Sequence, residues 1–415
     1  MVPRDLLGWH PGRVGIPIDV DLVRRDLAQI VSYASVGGSE AESAVQRWCA
    51  ATMQGLGLDV DLWPFDLDAL RADPDYPGEE VEREEAWGCV GTSGDGTPRL
   101  ILNGHVDVVP PGEHEWWTGH DPWYLHESGG RWYGRGVCDM KGGVVAILAA
   151  VRAVGHQLER PFAVHTVIGE EDGGLGTFGT LKRGHTGEAC LIAEPTAGQI
   201  VSANAGSLTF RLEVRGKATH GSMAGYGISA VDLYEHVRMA LRDLDARRNA
   251  NPPAPFEDRP WPISVGRVQA GDWPSTVPDL LVAEGRFGTM PGETFAEATA
   301  AFEAAIAAVD EPWFREHPVE VTWPGGRFAA GSLPSGHPFG DETVAAAIEA
   351  GFDRPTLVGA PYGSDLRQYA GAGVPTLQLG PGVIDQAHAV DESVPIDEVV
   401  RCAEAYAHLL LTRCG

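Results

Sequence analysis

At 415 residues the chain is long enough for two or three domains, each with a sizeable core. Its 43% hydrophobic and 21% charged residues are ordinary globular usage and exclude disorder for the bulk of it. A formal net charge of −27 opposes broad contact with phosphate backbones or anionic lipid, so neither nucleic acid nor a membrane is expected as a partner.

The first residues, MVPRDLLGWHPGRVG, interrupt every apolar run with charge, proline or glycine and contain no signal-peptide core. Residues 19–55 carry helical spacing, and the polar, proline-bearing stretch 66–88 reads as a solvated loop. An α/β pattern follows. Leu100–Leu102, Ala163–Ile168, Ala189–Ala193 and Pro375–Leu379 have the look of buried strands, with a helix over Gly142–Val154 among them. The longest apolar stretch, Gly142 to Val151, stops at Arg152 and is far too short to span a bilayer.

From about 204 to 330 the rhythm changes to strand Leu208–Val214, helix Ile228–Ala246, strands Ile263–Val268 and Leu281–Phe287, helix Glu293–Val309 and strand Val319–Trp323. This βαββαβ order is the ferredoxin-like unit. The predicted fold is therefore α/β, a mixed and largely parallel sheet flanked by helices, with an inserted ferredoxin-like domain. The expected boundaries are 1–203 with 331–415 for the first domain and 204–330 for the insert, and NPPAPFEDRPWP at 251–262 reads as a rigid loop.

Six dispersed cysteines without a C-x-x-C pair fit a reducing compartment and a cytoplasmic protein. Several catalytic signatures are missing: there is no G-x-S-x-G elbow, no Walker A loop and no complete G-x-G-x-x-G. HEWWTGH at 114–120 spaces its histidines six apart, too far for adjacent helical turns, and reads as a structural tryptophan-rich loop.

What remains is GHVDVVP at 104–110, GRGVCDMKGG at 134–143, GEEDGGLGT at 169–177, AEPT at 193–196 and DQAHAVDE at 385–392. Each predicted strand ends where an ionisable residue begins: His105 with Asp107, Glu170 with Glu171, Glu194, and His388 after a glycine-rich loop. Ligands in open α/β sheets sit beyond the carboxyl ends of the strands, so these groups should converge on one crevice.

With these five motifs in order, nearly the whole chain resembles the two-zinc amidohydrolase and peptidase family of acetylornithine deacetylase, succinyl-diaminopimelate desuccinylase, aminoacylase and glutamate carboxypeptidase. The ending GPGVIDQAH is particularly like the acetylornithine deacetylases. The resemblance implies a zinc-peptidase-like fold in which His105 and Glu194 bind one Zn2+, Glu171 and His388 bind the other, and Asp139 bridges both. It also implies that Asp107 orients His105 and that Glu170 is the catalytic acid/base. Five ligands with one bridge and a shared water would complete two four-coordinate sites. Three carboxylates against two dications leave the centre net positive, which favours a bridging hydroxide able to attack an amide carbonyl. Neighbouring side chains on extended backbone point oppositely, so Glu171 would face metal while Glu170 faces water. Cobalt or manganese would suit similar ligands.

In the insert, GKATHGS at 216–222 resembles the family motif whose histidine, here His220, polarises the substrate carbonyl, often in the neighbouring subunit of a homodimer. The insert would then serve as dimerisation face and lid. Arg286 and Arg367 match positions where relatives read a substrate carboxylate, a task suited to a guanidinium fork, and Gly363 would let backbone approach the ligand. Pro274–Ser275–Thr276, Glu284–Gly285–Arg286 and Ser229 depart from the family pattern and bear on specificity. The expected enzyme hydrolyses the amide of a small N-acyl amino acid, as acetylornithine deacetylase does. The alternatives are a metallo-dipeptidase or carboxypeptidase, a desuccinylase, and a non-catalytic metal-binding relative.

Overall fold

The structure is a computed structural model that describes residues 15–415; the stretch 1–14, on which the signal-peptide expectation rests, lies outside the described residues. The chain divides into two compact units. Met1–Ser202, Ser332–Val358 and Gln368–Gly415 make one, and Ala203–Gly331 with Gly359–Arg367 makes the other. The short segment Gly359–Arg367 thus clusters with the second unit, although the sequence reading places it in the first. No helix among the described residues is long and apolar enough to cross a membrane.

The first unit is built on a mixed sheet whose four central strands are parallel: Ala163–Val167, Ile101–His105, Cys190–Ile192 and Thr376–Gln378, side by side in that order. These are the four apolar runs of the sequence. Every residue of the four strands is buried, which explains why they are mostly apolar where a half-exposed strand would alternate; the polar exceptions, such as Asn103, His165 and Gln378, are buried too. Antiparallel strands flank them: Trp87–Thr92 and then Asp59–Pro64 on one side, Ile200–Asn204 on the other. Helix Lys141–Val154 packs on strand Ile101–His105 and on helix Ile396–Cys414, while helices Glu40–Gly55 and Leu175–Lys182 pack on Trp87–Thr92. A Cβ on Gly143 would lie 2.2 Å from the Ala193 carbonyl oxygen, so this glycine sets how closely helix Lys141–Val154 approaches the strand end that leads to Glu194.

The second unit carries an antiparallel sheet in the order Ile263–Ala270, Leu280–Thr289, Gly206–Arg215, Glu320–Thr322. In chain order this is 2-3-1-4, the ferredoxin-like arrangement. Strand Gly206–Arg215 alternates buried and half-buried residues, turning Leu208, Phe210, Leu212 and Val214 inward. Those side chains meet Leu233, Val237 and Leu241 of helix Ala230–Arg248 and Ala298, Phe302 and Ile306 of helix Phe295–Ala307 in one cluster. Thr294 and Glu297 close a capping box at the start of the latter helix. In the loop 251–262, Phe256 and Trp261 are buried against Ala203 and Ala205.

The segment 66–88 corrects the sequence reading. It contains a short helix, Leu67–Arg71, and then Arg83, whose side chain is fully buried between Glu42 and Asp172. Its polar composition reflects an internal ion cluster as well as solvated surface. The loop around 114–120 is structural, as expected: Trp117 is buried, its indole N–H donates to the Pro111 carbonyl, and the Arg135 guanidinium lies over its ring.

Candidate metal centre

His105 closes strand Ile101–His105 and is buried. Its Nδ1 lies 3.0 Å from the Asp107 main-chain oxygen, so Nδ1–H donates there and Nε2 is the nitrogen that faces inward, where a cation would replace its proton. Asp107 therefore meets the ring chiefly through its main-chain carbonyl. Its Oδ1 is 3.6 Å from Nδ1, and its Oδ2 accepts the Glu171 amide N–H at 3.3 Å.

Asp139 stands in the turn that precedes helix Lys141–Val154. Its two oxygens face different imidazoles: Oδ1 is 2.9 Å from His105 Nε2, and Oδ2 is 3.7 Å from His388 Nε2. Glu194, two residues beyond strand Cys190–Ile192, brings Oε1 to 3.7 Å from His105 Nε2. Glu171, beyond strand Ala163–Val167, places Oε2 at 2.9 Å from His388 Nε2. His388 follows the short helix Ile384–Gln386 with a left-handed backbone, φ 62°. The result is two groups of three donors, His105–Asp139–Glu194 and Asp139–Glu171–His388, each with its ligand atoms within 4.8 Å of one another and with Asp139 common to both. Five of the sequence-predicted ligands thus meet at the carboxyl ends of the parallel strands.

Glu170 and Glu171 lie in a turn that follows the strand, not on extended backbone. In that turn the Gly173 and Gly174 amides donate to the Glu170 and Gly169 carbonyls. Glu170 is buried, with 8% of its surface exposed.

The electrostatics suit a cation. Burial resists charge on His105, yet hydrogen bonds to Asp107 and Asp139 and the nearby Glu194 raise its pKa well above that of free imidazole. Burial also opposes the charge on Asp139, and His105 more than offsets it, lowering that pKa. Burial and the repulsion of Asp139 push Glu171 up to about 7, and the bond to Glu171 raises His388. Closely packed carboxylates held against neutral or protonated imidazoles are what a cation site looks like electrostatically.

The remaining predicted residues lie in the second unit. His220 caps a short helix, Gly221–Tyr226, and its Nδ1 accepts from the Ser222 amide N–H at 3.2 Å, 2.8 Å from the Ser222 hydroxyl. That acceptor role leaves the proton of the neutral ring on Nε2. Arg286, on strand Leu280–Thr289, donates through Nη2 to the Pro361 carbonyl at 3.0 Å and has no carboxylate within ion-pair distance among the described residues. Burial lowers its pKa. Arg367 stacks over the Phe328 ring at 4.2 Å and donates to the Ser364 carbonyl. At Gly363 a Cβ would come within 2.9 Å of the Phe328 ring, so its smallness serves packing there.

Sequence reasoning missed the buried ion groups behind the centre. Arg83 pairs with Glu42 and Asp172, and Arg135 pairs with Glu392. Arg135 and Glu392 lie inside quoted motifs, and only their complete burial marks them out.

Residues 101–412 match the profile of Peptidase family M20/M25/M40. The N-formyl-4-amino-5-aminomethyl-2-methylpyrimidine deformylase of Bacillus subtilis is 26% identical over 395 residues, covering 89% of each chain. The acetylornithine deacetylase of Aliivibrio fischeri is 26% identical over 405 residues, covering 93% of this chain and 97% of the relative. Among solved structures, a tripeptidase from Staphylococcus aureus superposes with a TM-score of 0.73 at 18% identity, over 96% of this chain and 99% of that one.

Proposed function

Starting from the fact that the chain belongs to Peptidase family M20/M25/M40, we propose that it hydrolyses the amide bond of small N-acyl amino acids at a centre holding two zinc ions. The carrying observation is the shared carboxylate: Asp139 turns one oxygen to His105 and the other to His388, joining two three-donor groups. The donor chemistry fits. Two imidazole nitrogens with three carboxylates suit Zn2+, Co2+ or Mn2+, whereas Ca2+ or Mg2+ would call for an all-oxygen set. His105 and Glu194 would hold one ion, Glu171 and His388 the other, with Asp139 between them. Bound there, the dications supply Lewis acidity and lower the pKa of water.

The chain's own groups carry the proton. Glu170 accepts a proton from the attacking water and returns it to the departing amine nitrogen, giving a carboxylate and a free amine. His220, with its neutral-ring proton on Nε2, is suited to donate to the carbonyl oxygen as negative charge develops there. In family terms it would do so in the partner subunit's site, which makes the working unit a homodimer. Arg286, an arginine with no carboxylate partner among the described residues of an acidic protein, is suited to read the substrate's α-carboxylate together with Arg367. Six free, buried cysteines support a cytoplasmic setting.

The similarity to a deformylase favours a second reading, an N-formyl amine lacking an α-carboxylate. A panel of N-acetyl, N-formyl and N-succinyl amino acids, dipeptides and N-formyl aminopyrimidines, assayed with added zinc or cobalt, separates the two. Rates on N-acyl amino acids that fall in Arg286→Ala support the first reading. Turnover confined to the formyl aminopyrimidine overturns it. Glu170→Gln should retain metal and lose turnover; wild-type rates in that variant, or in chelated protein, refute the mechanism.

A further inference from the structure

Glu392 is completely buried, four residues beyond His388. Its carboxylate accepts four hydrogen bonds, all from one segment. Oε1 accepts from the amide N–H groups of Cys138 at 2.8 Å and Asp139 at 3.0 Å, and Oε2 accepts from the amide of Gly136 and from Arg135 Nη1, both at 2.8 Å. Residues 135–139 are wrapped around this carboxylate, as backbone N–H groups wrap a bound anion. The last of those amides belongs to Asp139 itself. Arg135, also buried, uses Nη2 to reach the carbonyls of Pro110 and His388, both at 3.4 Å. A single ion pair therefore ties together the loop after His105, the turn that presents Asp139 and the loop that carries His388.

We infer that Glu392 and Arg135 are a positioning pair that sets the direction of the shared Asp139 carboxylate and the seat of His388. The inference rests on the metal-centre reading and deepens it. A carboxylate is needed because all four of these hydrogen-bond partners are donors. An amide of the same shape offers one accepting oxygen and turns its own N–H2 toward two of those donors.

The test compares wild type, Glu392→Gln and Arg135→Lys for Zn2+ affinity by calorimetry and for the Co2+ visible spectrum, with thermal melts to establish folding. Outer partners of metal ligands typically contribute about 10–100-fold in affinity, and a loss of that size with an altered cobalt spectrum is expected for folded Glu392→Gln. Arg135→Lys, which keeps the charge and loses the fork to Pro110 and His388, should lose severalfold. A purely structural pair would lower the melting temperature and leave affinity and spectrum of the folded protein unchanged, and that result overturns the inference. If Glu392→Gln does not fold, Arg135→Lys decides the matter alone, wild-type affinity there overturning it. Wild type that takes up neither Zn2+ nor Co2+ refutes the metal centre itself, a failure distinct from that of the positioning pair.

Discussion

Removing the cation of the buried cluster around Arg83 should be among the most damaging single changes available away from the metal centre. Arg83 donates to Glu42 through Nε and Nη2, both at 2.9 Å, and to Asp172 through Nη1 at 2.7 Å and Nη2 at 2.9 Å. The three side chains are 0%, 1% and 7% exposed. Arg83→Met fills most of the volume with apolar atoms and leaves two carboxylates without their partner. Breaking a buried ion pair from one side costs about 3–5 kcal/mol. Two features limit the loss: burial already pushes Glu42 up to about 7 against the pull of Arg83, so it takes a proton readily, and Asp172 keeps the amides of Glu80 and Val81. At roughly 2–4 °C per kcal/mol for a unit of this size, the melting transition should fall by about 10 °C. Scanning calorimetry reads it directly. A fall under about 3 °C would refute the picture of a dry, fully paired cluster, whereas Glu42→Gln/Arg83→Met should recover part of the loss.

Gly143→Ala drives a methyl group to 2.2 Å from the Ala193 carbonyl, so the variant should lose about 1–3 kcal/mol and bind zinc more weakly through a displaced Glu194; wild-type stability in urea would contradict this. His165 is buried, shares a hydrogen bond with the Tyr369 hydroxyl at 2.8 Å, and is held down to about 3 by burial and by His185. Because the unfolded imidazole takes up a proton below about 6.5 and the folded one does not, this group's contribution is intact above that pH and is lost on acidification, by about 2 kcal/mol at pH 5. His165→Gln should show correspondingly less loss of stability between pH 7 and pH 5, and an unchanged pH dependence would refute the assignment. Mixing inactive His220→Ala with inactive Glu170→Gln under subunit exchange should restore about a quarter of wild-type activity if sites are shared across a two-fold dimer. No recovery in verified hybrids would remove the shared site.

The parallel centre of the sheet was legible from local signals, as were the ionisable groups at strand ends, whereas Asp139, in a turn ahead of a helix, was reached only through the family resemblance. Fully buried strands are mostly apolar on both faces, and groups that serve one crevice recur at strand ends. The ion clusters were not legible, since nothing in the sequence around Arg83 distinguishes a buried arginine from a solvated one; its partners lie 41 and 89 residues away. The backbone of Glu170–Glu171 was misread for a related reason: the two glycine amides that close its turn look like flexible spacers in the sequence. The packing of Gly363 on Phe328 was not legible either, because Phe328 is remote in the chain.

The order of strands has a consequence for how the protein is made. Thr376–Gln378 lies between Cys190–Ile192 and Ile200–Asn204, so the sheet has a gap at its middle until the final tenth of the polypeptide leaves the ribosome. Most of the second unit, by contrast, is contiguous and can fold while synthesis continues. A nascent chain halted before residue 376 would display an unpaired edge on Cys190–Ile192 and lack His388 altogether, leaving it exposed to aberrant strand pairing and unable to complete its second cation group.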